Sequence, residues 1–470
     1  MPDDLFYLSA TQLLDNYRKK RLSPVEVTRA VLDRIAAYNP KINAFCLVDE
    51  ETSLVAARES EAHWMKGEPK GLVDGVPVSI KDLVLTKGWP TLFGSKTVDP
   101  NQPWLEDAPC VARLREHGAV FIGKTTTPEF GWKGLTDSPL TGITRNPWNL
   151  DMTPGGSSGG AAAALAAGMG PLAIGSDSGG SIRIPASFTG VFGLKPSFGR
   201  VPSDRASLIS NLATDGPITR TVTDAALMLT VITKPDVRDW FALPYEDRDY
   251  QDGLDNGVQN LRVAFSPTLG YAKVDSEVAG IVAKAAGVFS DLGAFVDEVD
   301  PGFEDPTEMF NLIRRAYRGY SHRELTQKQM NLVDKPLARM VDRGANISLV
   351  DCFSAIMARS ALGQRMKQFC QNYDLLLTPT LALPPFPLEQ GIPSGEENDE
   401  WFMRDGMNWT PFSYPFNLTG QPAASIPCGF TESGLPIGLQ IVGPLYGDAL
   451  VLRASRAYEL ARGELPLPSL

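Results

Sequence analysis

Residues Thr153–Pro202 read TPGGSSGGAAAALAAGMGPLAIGSDSGGSIRIPASFTGVFGLKPSFGRVP. Two clusters of glycine and serine, Gly155–Gly160 and Ser176–Ser181, bracket an alanine-rich run. Glycine adopts backbone shapes that other residues resist and lets a ligand approach the main chain closely. Serine adds hydroxyls. Exposed N–H groups beside hydroxyls are what acyl transfer needs: a nucleophile next to donors for a developing oxyanion. A flexible linker can share this composition. These clusters, however, are short and bounded by apolar, helix-forming or proline-fixed residues, as loops packed into a core would be.

Outward from this stretch, strand and helix patterns alternate. Towards the N-terminus, Val76, Val78 and Ile80 alternate with Pro77 and Ser79 and run into Lys81-Asp82, a short strand with one apolar face. CVARLREHGAVFIGKTT reads as helix, glycine turn and strand. Leu8 to Lys66 reads as helical: Ser9 caps a helix near Thr11, Ser23-Pro24 starts a second, and Glu51–Lys66 forms a third. Towards the C-terminus come a strand in QNLRVAFS, a helix over Val278–Leu292 and a strand in GAFVDEV, then a strand pair in PAASIPCGF and GLPIGLQIVG. Phe241–Asp255 and Leu383–Glu400 read as loops. This alternation predicts an α/β fold with a central mixed or largely parallel sheet flanked by helices. The chain shows no linker or repeat, so one domain over residues 1–470 is expected, with a peripheral helical segment at about 1–66.

Composition narrows the function. The 470 residues are 43% hydrophobic and 21% charged, with net charge −11. A nucleic-acid surface is usually basic, so no direct nucleic-acid partner is expected. No run of about 18 apolar residues is present to span a bilayer, and MPDDLFYLSA has neither the basic nor the apolar part of a secretory signal. The five cysteines, Cys46, Cys110, Cys352, Cys370 and Cys428, are odd in number and scattered, which fits free thiols in a reducing cytoplasm. Cys428 reads as a buried small hydrophobe.

A serine nucleophile needs a base. The three histidines, His63, His117 and His322, lie in helical, charged surroundings as surface or helix-end residues, outside the Gly/Ser clusters. A zinc site would need more clustered ligands, GGSSGG lacks the lysine of a phosphate loop, and no metal or cofactor is expected. Lysine can act as base where burial lowers its pKa from about 10.4 towards neutrality. Lys81 is the candidate because an apolar strand delivers it into the interior. An ion pair with Asp82 fits the spacing equally well.

The motifs resemble those of the amidase signature family, the Ser-cisSer-Lys amide hydrolases. The matching segments are GVPVSIKD around Lys81, TPGGSSGG around Ser157 and GSDSGGSIRIPA around Ser181, with GKT, TRNPWN, FGLKPSFGRVP, YPFNLTGQPAASIPCGF and GLPIGLQIVGP beyond them. The likeness runs from about Ser23 to Leu452. It implies Ser181 as nucleophile, Ser157 as the bridging serine held by a cis peptide after Gly156, and Lys81 as base. It also implies an oxyanion hole of the Ser178, Gly179, Gly180 and Ser181 N–H groups. Ser158 is expected to bond Lys81 or the loop backbone. Asp177 and Arg183 are expected to pair and brace the loop, and Lys195 is read as structural.

The family spans simple amidases, aryl-acylamide and carbamate hydrolases, and the glutaminase subunit of the tRNA-dependent amidotransferase. The resemblance to that subunit implies a GxEVKRRI segment and an aspartate that holds glutamine. Here the region reads KPLARMVDRGANIS, and Thr410 aligns with the aspartate, with Asp405 close by. The candidate pocket residues are Phe130, Trp132, Trp409, Phe412 and Tyr414, which fit a core equally well. If they line a pocket, a neutral, aromatic amide is favoured, with esters, anilides or carbamates open to the same route. A glutaminase subunit is the alternative, and a catalytically silent scaffold a third. A homodimer is a family-level expectation.

Overall fold

The computed structural model describes residues 5–204, 210–388 and 409–470. The start signals near the N-terminus set real helix ends. Ser9 caps α1 (Ala10–Arg18) and Ser23 caps α2 (Pro24–Ile42), each through a reciprocal capping box. Strand β1 (Phe45–Val48) follows, then α3 (Glu50–Lys66), β2 (Pro77–Lys81), α4 (Pro109–Glu116) and β3 (Val120–Thr125). A small hairpin, β4 (Asp137–Ser138) and β5 (Gly142–Ile143), leads to the central stretch. That stretch forms α5 (Gly159–Ala166), β6 (Leu172–Asp177), α6 (Arg183–Thr189) and β7 (Phe192–Lys195). Next come β8 (Thr214–Thr219), α7 (Val222–Ile232), β9 (Arg262–Phe265), α8 (Ser276–Asp291) and β10 (Phe295–Glu298). The C-terminal part adds α9 (Thr307–Ser321), α10 (Gln327–Met330), α11 (Lys335–Ala345), α12 (Leu349–Phe369) and β11 (Leu375–Pro379). It ends with α13 (Pro415–Leu418), β12 (Ala423–Phe430), β13 (Pro436–Val442) and α14 (Asp448–Arg462).

Among the described residues, eleven strands form one mixed sheet in the order β1-β3-β2-β6-β8-β7-β12-β13-β11-β9-β10. The run β3-β2-β6 is parallel, as is β11-β9-β10, and the middle from β6 to β11 is antiparallel. Leu172 and Ile174 of β6 join a large core that also takes in α7, α8 and α14. Ala173 between them packs with α5 and α6 on the other face. That is the period-two alternation of a strand buried on both sides.

The expected α/β architecture with a mixed sheet is what the chain adopts, and several details differ. The strand ending at Lys81 is buried on both faces, because Pro77 and Ser79 are covered as fully as Val78 and Ile80. The first Gly/Ser cluster is not all loop, since Gly159 and Gly160 open α5, and Ser176-Asp177 close β6. Strand β1 and helix α12 carry no clear signal in the sequence, whereas α11 has Pro336 in its first turn and buried Leu337, Met340, Val341 and Gly344 at helical spacing. Helix α12 has apolar residues on its exposed side, including Leu349, Val350 and Phe353, which hides its periodicity. Phe241–Asp255 holds neither helix nor strand. Of the other expected loop, residues 389–400 lie outside the described residues, as does Asp405. No described helix is long and apolar enough to cross a membrane.

Candidate active site

Strand alternation decides where Lys81 goes. Val78 and Ile80 join the large core, so Ser79 and Lys81 project to the opposite face, towards α5. Lys81 is fully buried there. Its Nζ lies 2.7 Å from Ser157 Oγ, 2.8 Å from Ser158 Oγ and 3.1 Å from Ser176 Oγ. Asp82 accepts from the N–H groups of Leu92 and Gly94, each at 3.2 Å, and lies 3.9 Å from Lys124 Nζ. Burial pushes the Asp82 carboxyl up to about 6 against the pull of Lys124 and these two N–H groups.

The Gly156–Ser157 peptide is cis. A Cβ on Gly156 would sit 2.5 Å from the Leu135 carbonyl oxygen, so only glycine lets the loop pass this close to the neighbouring chain. Ser158 does both things expected of it: it reaches Lys81, and its hydroxyl donates to the Ser176 carbonyl at 3.2 Å. The Ser158 N–H donates to the Ser181 carbonyl at 3.1 Å, which ties the two serine loops together. Ser157 and Ser181 line one cavity of about 1170 Å³, counting its open mouth. No hydrogen bond joins their side chains among the described residues.

The loop before Ser181 is braced from below. Asp177 and Arg183 pair at 3.0 Å, and both side chains are fully buried. Asp177 also accepts from the N–H groups of Gly180 (2.7 Å) and Ile182 (3.1 Å) and from Asn417 (2.9 Å). Burial alone would raise its pKa, but the Arg183 guanidinium, then Lys195 and Asn417, hold the carboxyl well below the usual range. Replacing Arg183 by Met should therefore destabilise the fold by about 3–5 kcal/mol, the cost of leaving a buried charge without its partner. A lower denaturation midpoint, with turnover lost alongside, is the expected reading.

This bracing corrects one expectation. The Gly180 N–H is held by Asp177 and cannot also face an oxyanion. The N–H groups of Ser178, Gly179 and Ser181 have no acceptor among the described residues, and all three residues line the cavity. Lys195 is buried, donates to the Pro196 carbonyl and lies outside the cavity lining.

The aromatic candidates divide. Phe130, Trp132 and Trp409 line the cavity. Phe412 and Tyr414 do not: both are fully buried core, with Tyr414 stacked behind Phe310 and its hydroxyl 2.6 Å from Thr307 Oγ1. Phe310 itself faces the cavity, and so do Arg314, Tyr317 and Arg318 of α9. Their spacing of four, three and one residues marks a single helix face. From sequence such a charged face reads as solvated. In the fold Arg318 donates to the Phe130 carbonyl at 3.0 Å and Arg314 to the Trp132 carbonyl, so the helix clamps the turn that carries both aromatic rings. Thr410 also lines the cavity.

The histidines are elsewhere. His63 meets Asp74, His117 meets Lys234, and none of the three lines the cavity. His322 ends α9 but is buried rather than on the surface, with Phe130 packed edge-on at 4.9 Å. Burial pushes its pKa down to about 4. Cys428 is only partly buried, and all five cysteines are free thiols.

Residues 26–452 match the protein-family model described as Amidase. The chain is 40% identical over 462 residues to an acylamidase of Rhodococcus erythropolis, covering 98% of this chain and 96% of that one. It is 35% identical to the A-type subunit of the glutamyl-tRNA(Gln) amidotransferase from Geobacter metallireducens, covering 97% and 98%. Among solved structures it superposes with a TM-score of 0.89 and 32% identity on a bacterial aryl acylamidase of the amidase signature family, covering 97% and 96%.

Proposed function

The chain belongs to the amidase family, as an enzyme hydrolysing carbon–nitrogen amide bonds, and from that premise we propose that it cleaves small neutral, aryl-bearing amides through an acyl-enzyme on Ser181. The observation that carries this reading is the buried Lys81 Nζ at 2.7 Å from Ser157 Oγ, with Ser157 and Ser181 lining one cavity that Phe130, Trp132, Phe310 and Trp409 also line.

The steps follow from that placement. Neutral Lys81 takes the proton of Ser157, and Ser157 takes that of Ser181 as its Oγ bonds to the amide carbon. The relay closes when substrate orders the two serines, since catalytic hydrogen bonds often tighten only on binding. The carbonyl electrons move onto oxygen, where the N–H groups of Ser178, Gly179 and Ser181 receive them. As the carbon–nitrogen bond breaks, Lys81 returns its proton through Ser157 to the leaving amine. Water then attacks the ester on Ser181 by the same relay and releases the carboxylic acid.

Two relatives' names, acylamidase and aryl acylamidase, agree with the aromatic lining. The similarity to the A-type subunits of amidotransferases supports the glutaminase alternative. Against it, Thr410 lines the cavity and aligns with the aspartate that the glutaminase resemblance implies. We place the enzyme in the cytoplasm, where its free thiols stay reduced.

The test is turnover by purified wild type and Ser181→Ala on glutamine and on neutral alkyl and aryl amides, esters and carbamates. The expected result is Ser181-dependent release from aryl substrates with little glutaminase activity. A preference for glutamine, or activity only with added partner proteins, would overturn the substrate assignment.

A further inference from the structure

The peptide between Gly179 and Gly180 lies at the centre of the nucleophile loop and is gripped at both ends. Its N–H, on Gly180, donates to Asp177 Oδ1 at 2.7 Å. Its carbonyl, on Gly179, lies 2.8 Å from the hydroxyl of Ser413, the shorter of that donor's two contacts, the other being the Thr410 carbonyl at 3.1 Å. Ser413 arrives from the far end of the chain, 234 residues away, and is itself fully buried. Its own carbonyl accepts from the Arg183 guanidinium at 2.8 Å, so the residue is latched to the loop twice. A Cβ on Gly180 would meet Ser413 Oγ at 2.5 Å, and Gly180 has φ +116°, so the approach requires glycine.

This grip matters because the peptide is the easiest one in the loop to turn over. Rotating it changes ψ of Gly179 and φ of Gly180, and neither residue has a Cβ to resist. In the observed orientation the flanking N–H groups of Gly179 and Ser181 are left without protein acceptors among the described residues. A turned peptide would exchange the two directions, setting the Gly179 carbonyl against the Asp177 carboxylate and losing the Ser413 hydroxyl, so the backbone angles at Gly179 and Gly180 that aim the flanking N–H groups would have to change.

We propose that Ser413 is a positioning residue for the oxyanion site: its hydroxyl holds the Gly179–Gly180 peptide so that the Gly179 and Ser181 N–H groups face the transition state. The inference rests on the reading of Ser181 as nucleophile. It adds a residue outside the serine–lysine relay whose effect falls on the transition state rather than on substrate binding.

The experiment compares wild type, Ser413→Ala and Ser413→Thr with an aryl amide as substrate. Ser413→Ala should lose about 10- to 100-fold in kcat, below the cost of deleting a whole oxyanion donor, with KM nearly unchanged. Ser413→Thr keeps the hydroxyl and should recover most of the rate. An arylboronic acid, which forms a tetrahedral adduct with a serine oxygen, should bind Ser413→Ala more weakly by the same factor as the loss in kcat/KM. Stoichiometric labelling by an aryl sulfonyl fluoride, absent in Ser181→Ala, separates the two claims. If labelling does not depend on Ser181, the nucleophile reading fails. If labelling is intact and Ser413→Ala keeps wild-type kcat and boronate affinity, or loses rate only through KM, the positioning role is overturned. The same holds if Ser413→Thr fails to recover rate while still taking up the label.

Discussion

Ser181→Ala should abolish turnover, with a loss on the order of 10⁴- to 10⁶-fold in kcat. The argument is geometric. The cavity lining carries four serines, Ser157, Ser176, Ser178 and Ser181. Ser157 and Ser176 lie within 3.1 Å of Lys81 Nζ and are both buried. Of the other two, Ser178 is exposed, and Ser181 is half-buried at the start of the turn into α6, its carbonyl tied to the Ser158 N–H beside Ser157 and its own N–H without an acceptor among the described residues. Removing its oxygen leaves the base, the bridge and the oxyanion donors in place with nothing to attack the substrate. Binding should survive, so a competitive product acid should retain its affinity. Wild-type rates in Ser181→Ala would move the nucleophile to another residue.

Lys81→Met should be nearly as damaging, at about 10³- to 10⁴-fold in kcat, in line with the loss of a positioned general base acting as part of a unit. Methionine keeps the length and fills the space along β2. The substitution therefore isolates the amine better than alanine, which would also open a void beside Ser157, Ser158 and Ser176. The rate at which Ser181 is acylated should fall with kcat, because Lys81 is the proton acceptor in that step. Single-turnover kinetics on an activated aryl ester would show it. An unchanged acylation rate would mean that another group takes the proton.

Much of this architecture is legible in local pattern. Ser9 and Ser23 are capping signals whose helices begin where they indicate. The strand leading to Lys81 ends with a buried amine beside the serine loop, and Asp177 and Arg183 pair within six residues of each other. What stayed hidden depends on contacts between distant segments. Phe412 and Tyr414 look like pocket residues in the linear sequence. The fold stacks Phe310 of α9 on Tyr414, and it is Phe310, about a hundred positions earlier, that lines the cavity. Arg314 and Arg318 show their part only once the turn at Phe130–Trp132 is brought under them. Gly180 reads as an oxyanion donor until the Asp177 carboxylate is seen to hold its N–H. Periodicity records which face of an element is buried, and not what that face meets.

The measurement that tests the central claim most directly is mass analysis of the acyl-enzyme. Wild type, Lys81→Met and Ser181→Ala would be mixed with an activated aryl ester, quenched in acid within the burst and digested. The account predicts an added acyl mass on wild type, mapped to Ser181, formed slowly in Lys81→Met and absent in Ser181→Ala. An acyl group mapped to any other residue, or an equal yield in Ser181→Ala, would contradict it.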